Sequence, residues 1–190
     1  MASAEMAESR GGPAAQAFGT EDRVLAELDA LGISYLLLRV PVADGHVIAP
    51  RPPAELLAHI VQQPSARVRA ALVPLLLARP GYASGARAAA TSLAGVARIA
   101  LMAFYTAAVC LQQELAPALS ARLGADWRAM PDLFADDLGL RTEIGPGGRL
   151  GEVARRHALL TGQYLNWEGT YRDAASRLLR QWDREAQWTA

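Results

Sequence analysis

The most informative part of this sequence is residues 88–114, which read AAATSLAGVARIALMAFYTAAVCLQQE. Apolar residues recur there at intervals of three and four, the spacing that puts side chains on one face of an α-helix. A second apolar row follows the opposite side, so we expect this helix to be surrounded by neighbours rather than to lie on a surface. The first row is Leu93, Ala97, Ala100, Phe104, Ala108, Leu111 and Leu115, and the second is Ile99, Met102 and Val109.

Helical patterns also precede this central stretch. Pro53 suits the first turn of a helix that ends at Val61, because a proline there gives up no intrahelical hydrogen bond. Residues 66–80 form a further helical pattern with Pro74 inside it. Pro74 removes the backbone bond to the carbonyl four residues earlier, so this helix is predicted to kink or split.

Helices are predicted after the central stretch as well. Pro131 opens a short helix that Gly139 closes, and a glycine-rich connector then leads to terminal helices at about 150–163 and 166–188. The last helix contains three of the four tryptophans and is expected to hold the bundle together by burying large rings. We therefore predict an all-α helical bundle of six or seven helices around a central hydrophobic helix at about 88–115.

The N-terminal residues 1–19 contain few large apolar side chains and are predicted to form a disordered leader. Thr20 then caps a short helix, which Gly32 stops. A chain of 190 residues fits one domain, so residues 20–190 are assigned to a single helical domain.

Residues 33–49 differ in character from the helical segments, because an apolar run is followed by an Asp-Gly turn signal. We interpret them as one minor β-hairpin, and the alternative is an extended strap across the helices. A hairpin here would leave its outer backbone edge unpaired, and such an edge is a template for a partner strand. Tyr35, Leu37 and Arg39 are therefore candidate partner-binding residues, and the partner is either another protein or a second copy of this chain.

The overall composition limits the choice of partners. The 19 basic and 19 acidic residues cancel, so net charge favours neither nucleic acid nor an anionic membrane. All basic residues are arginine, which together with the alanine content indicates a GC-rich bacterial genome. A single cysteine excludes an internal disulfide and favours a cytoplasmic protein. A buried core helix is preferred to a membrane span for residues 88–114, because Arg98 and the polar residues 112–114 flank the uncharged run.

No pattern of catalytic or metal-binding residues stands out. Cys110 lies within the apolar helix, where a buried and unreactive thiol is expected. Residues 145–148 lack the lysine and the serine or threonine of a phosphate-binding loop and are interpreted as a flexible connector. The sequence therefore predicts no catalytic residue, no metal and no cofactor, and only a deep pocket containing His157 would favour an enzyme.

Charge is nevertheless distributed unevenly along the chain. Residues 125–143 carry five acidic and two basic side chains, whereas residues 149–184 carry seven arginines and four acidic residues. These arginines either face solvent and the acidic segment or contact nucleic acid. The candidates for nucleic-acid contact are Arg155, Arg156, Arg177, Arg180 and Arg184.

These observations favour a non-enzymatic helical protein that acts through protein–protein interaction, as an accessory protein or as the antitoxin-like half of a bacterial gene pair. The alternative is a helical protein that contacts nucleic acid through its C-terminal arginines. The salt dependence of binding distinguishes the two hypotheses, because affinity for nucleic acid falls steeply as the salt concentration rises.

Overall fold

A computed structural model describes residues 13–36, 49–140 and 145–189 of the chain. Within these ranges the chain forms nine α-helices and three short 3₁₀ helices, and it contains no β-strand. The predicted all-α helical bundle is therefore confirmed. The α-helices are α1 (Pro13–Ala30), α2 (Pro53–Val61), α3 (Ala66–Ala70), α4 (Leu72–Ala78), α5 (Ala86–Ser92), α6 (Gly95–Glu114), α7 (Ala116–Leu123), α8 (Pro146–Thr161) and α9 (Trp167–Thr189).

The structure describes more helices than the six or seven expected, although the helix predicted after Pro131 does not form, because two predicted helices are each divided and α7 is a separate helix after α6. The first division separates α3 from α4 at Ala71, close to Pro74. Proline has no amide hydrogen and its ring crowds the preceding turn, so regular helical bonding cannot continue through this point. The predicted split is confirmed. Ser65 caps the start of α3, since its hydroxyl accepts a hydrogen bond from the Val68 amide at 3.4 Å.

The second division lies inside the predicted central helix. Leu93 and Ala94 are extended, and α6 begins only at Gly95, so the prediction of one continuous helix from residue 88 is wrong. Gly95 has a φ of +54°, in the left-handed region that residues with a side chain avoid. A Cβ on Gly95 would meet no atom within 4 Å, so this glycine serves the change of chain direction and not close helix packing.

Helix α6 occupies the centre of the bundle as the two apolar rows predicted. Every residue from Ala100 to Gln112 is buried. Helix α8 packs most extensively on α6, and α4, α2 and α9 cover further parts of its surface. Of the helices that the structure describes, α6 alone is long and apolar enough to cross a membrane, and 72% of its apolar window is buried within the protein, as in a core helix.

Helix α1 begins earlier than its sequence pattern indicated. Its first residue is Pro13, so Thr20 lies inside the helix and not at its N-cap, and residues 1–12 of the predicted leader lie outside the described residues. The predicted stop at Gly32 is confirmed. The Gly32 amide donates to the Asp29 carbonyl and the Ile33 amide to the Leu28 carbonyl, both at 2.8 Å, which is the Schellman pattern that ends a helix.

The predicted hairpin at 33–49 falls mostly on residues 37–48, which lie outside the described residues. The part that the structure describes, Ser34–Leu36, is a 3₁₀ turn. The Gln181 side chain on α9 holds this turn, because its Oε1 accepts hydrogen bonds from the amides of Ser34 and Tyr35 at 3.2 and 3.3 Å. These two amides are therefore satisfied within the chain and do not form an unpaired edge.

The structure corrects two further helix boundaries. Residues 131–140 form no helix, although Gly139 closes a single turn in which the Leu140 amide donates to the Ala135 carbonyl at 2.9 Å. The glycine-rich residues 146–149 belong to the first turn of α8 and are not a connector.

One buried ion pair joins the N-terminal helix to the chain that enters α2. The Glu27 side chain is completely buried, and its Oε1 accepts hydrogen bonds from Arg51 Nε at 2.9 Å and from Arg23 Nε at 3.3 Å. Glu27 Oε2 and Arg51 Nη2 have no hydrogen-bond partner among the described residues. The sequence pattern did not single out this carboxylate, because its partner Arg51 is 24 residues away.

Candidate functional site

A surface cleft of about 370 Å³ lies where α2, α3, the first turn of α6, α8 and the start of α9 meet. Its lining combines apolar and aromatic side chains with four polar ones, which are Gln62, Arg69, His157 and Gln163. This composition and this volume are typical of ligand sites and of pockets that receive a partner's side chain. The lining residues that matter below are Arg69, Val96, Phe104, His157, Gln163 and Trp167.

The inner wall of the cleft is a cluster of four rings. The His157 ring stacks on Trp167 with 3.8 Å between ring centroids, and Phe104 presents its edge to His157, Trp167 and Tyr171 at 5.5 to 6.0 Å. Edge-to-face and stacked pairs at such distances add to the stability that burial alone provides. The cluster therefore holds His157 in one orientation, between α8 and α9.

The His157 side chain is neutral at physiological pH. Burial, with a smaller contribution from the nearby Arg69 guanidinium, lowers the pKa of His157 to about 4. Its Nδ1 lies 2.6 Å from the Tyr171 hydroxyl, which has no other hydrogen-bond partner among the described residues. The Tyr171 proton is satisfied only when it is donated to Nδ1, so the ring proton of His157 resides on Nε2. Nε2 is then the donor that remains for the cleft.

Arg69 supplies the one charged side chain in the lining of the cleft. Its Nη1 donates to the carbonyls of Gln63 and Pro64 at 2.7 and 2.8 Å, which fixes the guanidinium against the end of α2. No ion pair among the described residues includes Arg69. The cleft therefore contains an anchored cation without a carboxylate partner.

The first turn of α6 forms another part of the lining. Val96 and Ala97 lie in this turn and both contact the cleft. The N-cap residue Ala94 has no side chain that can accept a hydrogen bond, and the turn contains no acidic residue. The amides at a helix start have no intrahelical partners and carry the positive end of the helix dipole. This end of the cleft is therefore also electropositive.

An exposed apolar corner adjoins the cleft at the turn between α8 and α9. We call it the α8–α9 corner and define it by four residues. Their exposed fractions are 51%, 44%, 76% and 60% for Leu159, Leu160, Tyr164 and Leu165, respectively. Gln163 and Trp167, which belong to the same turn, line the cleft, so the corner and the cleft form adjacent parts of one surface.

The structure places the predicted partner-binding residue Tyr35 on a different face. Tyr35 is largely buried, and that burial raises its pKa to about 12. Arg67 Nη2 donates to the Tyr35 carbonyl at 3.0 Å, so this backbone is held on both sides. The other two candidates, Leu37 and Arg39, lie outside the described residues, and partner binding at these three positions stays a prediction.

Three of the predicted nucleic-acid contacts line a second cleft of about 390 Å³, together with Tyr35 and Asp183. These are Arg177, Arg180 and Arg184. Arg177 and Arg180 share Asp173 as an ion-pair partner, at 2.8 and 3.8 Å. The acidic neighbours offset much of the positive charge on this face.

The other two predicted contacts lie on α8. Arg155 pairs with Glu152 at 3.5 Å, and Arg156 donates from Nη2 to the Gly139 carbonyl at 2.9 Å. Arg149 pairs with Asp132 in the acidic segment, in line with the expectation that basic residues face that segment. The structure thus places three of the five predicted arginines in the second cleft and the other two on α8, and nucleic-acid contact at these positions stays a prediction.

The sequence analysis named a pocket at His157 only as the condition that would favour an enzyme, and the structure places His157 in the lining of this surface cleft. One signal in the sequence could have predicted the arrangement. Trp167 and Tyr171 are four residues apart on the inward face of α9, and the short connection from α8 makes the two helices antiparallel neighbours. That arrangement brings His157 opposite both rings.

The buried Cys110 agrees with its prediction, since burial raises the pKa of its thiol to about 11 and suppresses the reactive thiolate.

The chain matches no known protein family. No curated protein and no solved structure is similar to it.

Proposed function

We propose that this chain is a non-enzymatic accessory protein that binds another protein through the α8–α9 corner. The observation that carries the proposal is the exposure of four large apolar side chains within seven residues. Contiguous apolar surface of this kind is costly in water and typically marks an interaction site. Large apolar and aromatic side chains of this type also serve as the few anchors that provide most of the affinity of an interface.

The backbone of the corner is held in a defined shape. The Leu165 amide donates to the Gln163 carbonyl at 3.0 Å, and the Trp167 indole nitrogen donates to the same carbonyl at 2.8 Å. The buried ring cluster lies directly behind this turn. A surface that is already ordered loses little conformational entropy on binding, which favours affinity.

The partner we propose is a different protein, encoded beside this one in a bacterial gene pair and present with it in the cytoplasm. The arginine composition supports a bacterial source. The acidic neighbours of Arg177 and Arg180 support a protein partner over nucleic acid, because counterion release needs unpaired cations aligned along one track.

The test compares affinity-tagged wild-type protein with the Leu165→Asp variant, each purified from the native host. We expect the wild-type protein to retain a stoichiometric partner and the variant to lose it, because an aspartate in the contact would be buried without a counter-charge. The Trp188→Asp variant is the matched control. Trp188 is 90% exposed on the same pair of helices but lies outside the corner, so this variant should keep the partner.

Circular dichroism and melting temperature confirm that each variant remains folded, which is expected because Leu165 is 60% exposed. Light scattering measures whether the retained species is a heteromer or a dimer of this chain. Retention of the same partner by the Leu165→Asp variant would contradict the proposal, and so would a wild-type protein that purifies alone as a monomer.

A further inference from the structure

Three of the groups that reach the cleft are cationic or hydrogen-bond donors. Arg69 is a cation, His157 offers an Nε2 proton, and the first turn of α6 offers amides without an intrahelical partner. The Gln62 and Gln163 side chains add amides that can either donate or accept, and no aspartate or glutamate among the described residues lines the cleft. Three separate elements, α3, α6 and α8, thus direct positive charge or hydrogen-bond donors to one place, which favours an anionic ligand group.

The His157 side chain distinguishes this arrangement from a helix start that happens to be uncapped. It is 1% exposed, so its remaining donor is directed to the cleft from a buried position. Its orientation is fixed by the 2.6 Å bond to Tyr171 and the stack on Trp167.

We propose that this cleft is a binding site for a small organic carboxylate. The carboxylate contacts the Arg69 guanidinium, His157 Nε2 and the first amides of α6. The flat apolar body of the ligand lies against Ala97, Ala100 and the ring cluster. This site is distinct from the α8–α9 corner, and its existence does not depend on a protein partner.

The charge and shape of the cleft explain why a monocarboxylate is the fitting class. Arg69 is its one full positive charge, since the pKa of His157 keeps the imidazole neutral. A second negative charge on the ligand would have no counter-charge in the lining. An apolar body fits because Ala97, Ala100, Phe104 and Trp167 line the cleft, and a polar group placed against them would lose its hydrogen bonds with water.

The test uses 3-phenylpropionate as the probe and 3-phenylpropanamide as the uncharged control of the same shape. Binding is followed by NMR of the four tryptophan indole groups. The Trp167 indole signal is assigned by elimination, with phenylalanine substitutions at Trp127, Trp182 and Trp188. We expect the acid to shift the Trp167 signal saturably and the amide to bind at least about tenfold more weakly, since a charge-assisted pair is lost.

Substitutions then test the role of each donor. Arg69→Gln should weaken binding of the acid by about tenfold or more. Arg98→Gln removes the same charge from an exposed position outside the cleft lining and should leave binding unchanged.

Because Arg69 also supports the end of α2, a second pair of variants keeps the test independent of folding. Val96 is 50% exposed in the first turn of α6, so substitution there should not disturb the core. Val96→Asp places a carboxylate at the positive end of the helix. This carboxylate should abolish binding of the probe, because it repels the probe's carboxylate and occupies the amides that would bind it. Val96→Asn has nearly the same shape as Val96→Asp without the charge, so it should bind the probe more tightly than Val96→Asp does.

The proposal is overturned if the acid and the amide bind equally, or if binding leaves the Trp167 indole signal unchanged. It is also overturned if Val96→Asp and Val96→Asn bind the probe with the same affinity. The corner proposal is tested separately, because Leu165→Asp alters neither Arg69 nor the start of α6.

Discussion

The Nδ1 atom of His157 lies 2.6 Å from the hydroxyl oxygen of Tyr171, and this bond joins α8 to α9 inside the bundle. Both side chains are buried. The bond satisfies the hydroxyl and one ring nitrogen without placing a charge in the interior. It also orients the second ring nitrogen, so one contact serves both the packing of the terminal helices and the cleft.

This pair makes stability depend on pH. The pKa of His157 is lowered to about 4 in the folded protein, mainly by burial, from an ordinary value near 6.5. Between these values the unfolded chain binds a proton that the folded chain does not, so the free energy of unfolding falls as pH falls. We expect a loss of roughly 2 to 3 kcal/mol between pH 7 and pH 4.5, at 1.36 kcal/mol per pKa unit.

Urea unfolding of the wild-type protein and of His157→Gln across this range measures the effect. Carboxylates titrate in both proteins, so the difference between the two curves isolates His157. The wild-type advantage should be complete above about pH 6.5 and should shrink as pH falls. A difference that stays constant with pH would show that His157 is not held neutral by burial.

Gly85 is where the chain before α5 packs against the start of α2. A Cβ at Gly85 would lie 2.4 Å from the Ala54 amide nitrogen and 2.7 Å from Pro53, both closer than atoms approach in folded proteins. Gly85→Ala should therefore destabilise the protein by about 1 to 3 kcal/mol or more, through backbone displacement.

Gly81→Ala is the matched control, because a Cβ at Gly81 meets no atom within 4 Å. It should change stability by less than about 0.5 kcal/mol. Thermal or urea unfolding of the two variants provides the comparison, and equal stabilities would contradict the close approach at Gly85.

Glu27 is the group whose removal should leave the most costly unpaired charge. Glu27→Ala strands the Arg51 guanidinium, whose side chain is only 10% exposed. We expect a loss of about 3 to 5 kcal/mol in the free energy of unfolding. Asp173→Ala, which breaks exposed pairs with Arg177 and Arg180, should cost about 1 kcal/mol or less, and urea unfolding distinguishes the two cases. Equal effects would mean that water reaches the Glu27 site.

Local chemistry accounts for the parts of the fold that the sequence predicted. The positions of the prolines correctly predicted the start of α2 at Pro53 and the division near Pro74. Proline favours the first turn of a helix and interrupts its interior, and both effects act within one helical turn. The apolar periodicity identified α6 and the inward face of α9, where Trp167 and Tyr171 are buried. A pattern of this kind averages over many residues and is not sensitive to any one of them.

The predicted helix boundaries were wrong where a single residue has a stronger effect on the backbone than the apolar pattern averaged over its neighbours. The left-handed backbone at Gly95 divided an otherwise continuous helical pattern. The segment after Pro131 has helical residues but ends after a single turn. Conversely, α8 begins at Pro146 within a glycine-rich stretch that composition alone assigns to a loop.

The all-α bundle and its central helix were determined by the sequence, because periodicity and the chemistry of proline act between neighbours in the chain. Only the tertiary structure brought together Arg69, Val96 and His157, which are 27 and 61 residues apart along the chain. It likewise paired Glu27 with Arg51 and bonded Gln181 to the turn at Ser34. Such sites depend on which helix faces meet, and that choice is made by the packing of the whole core rather than by any local pattern.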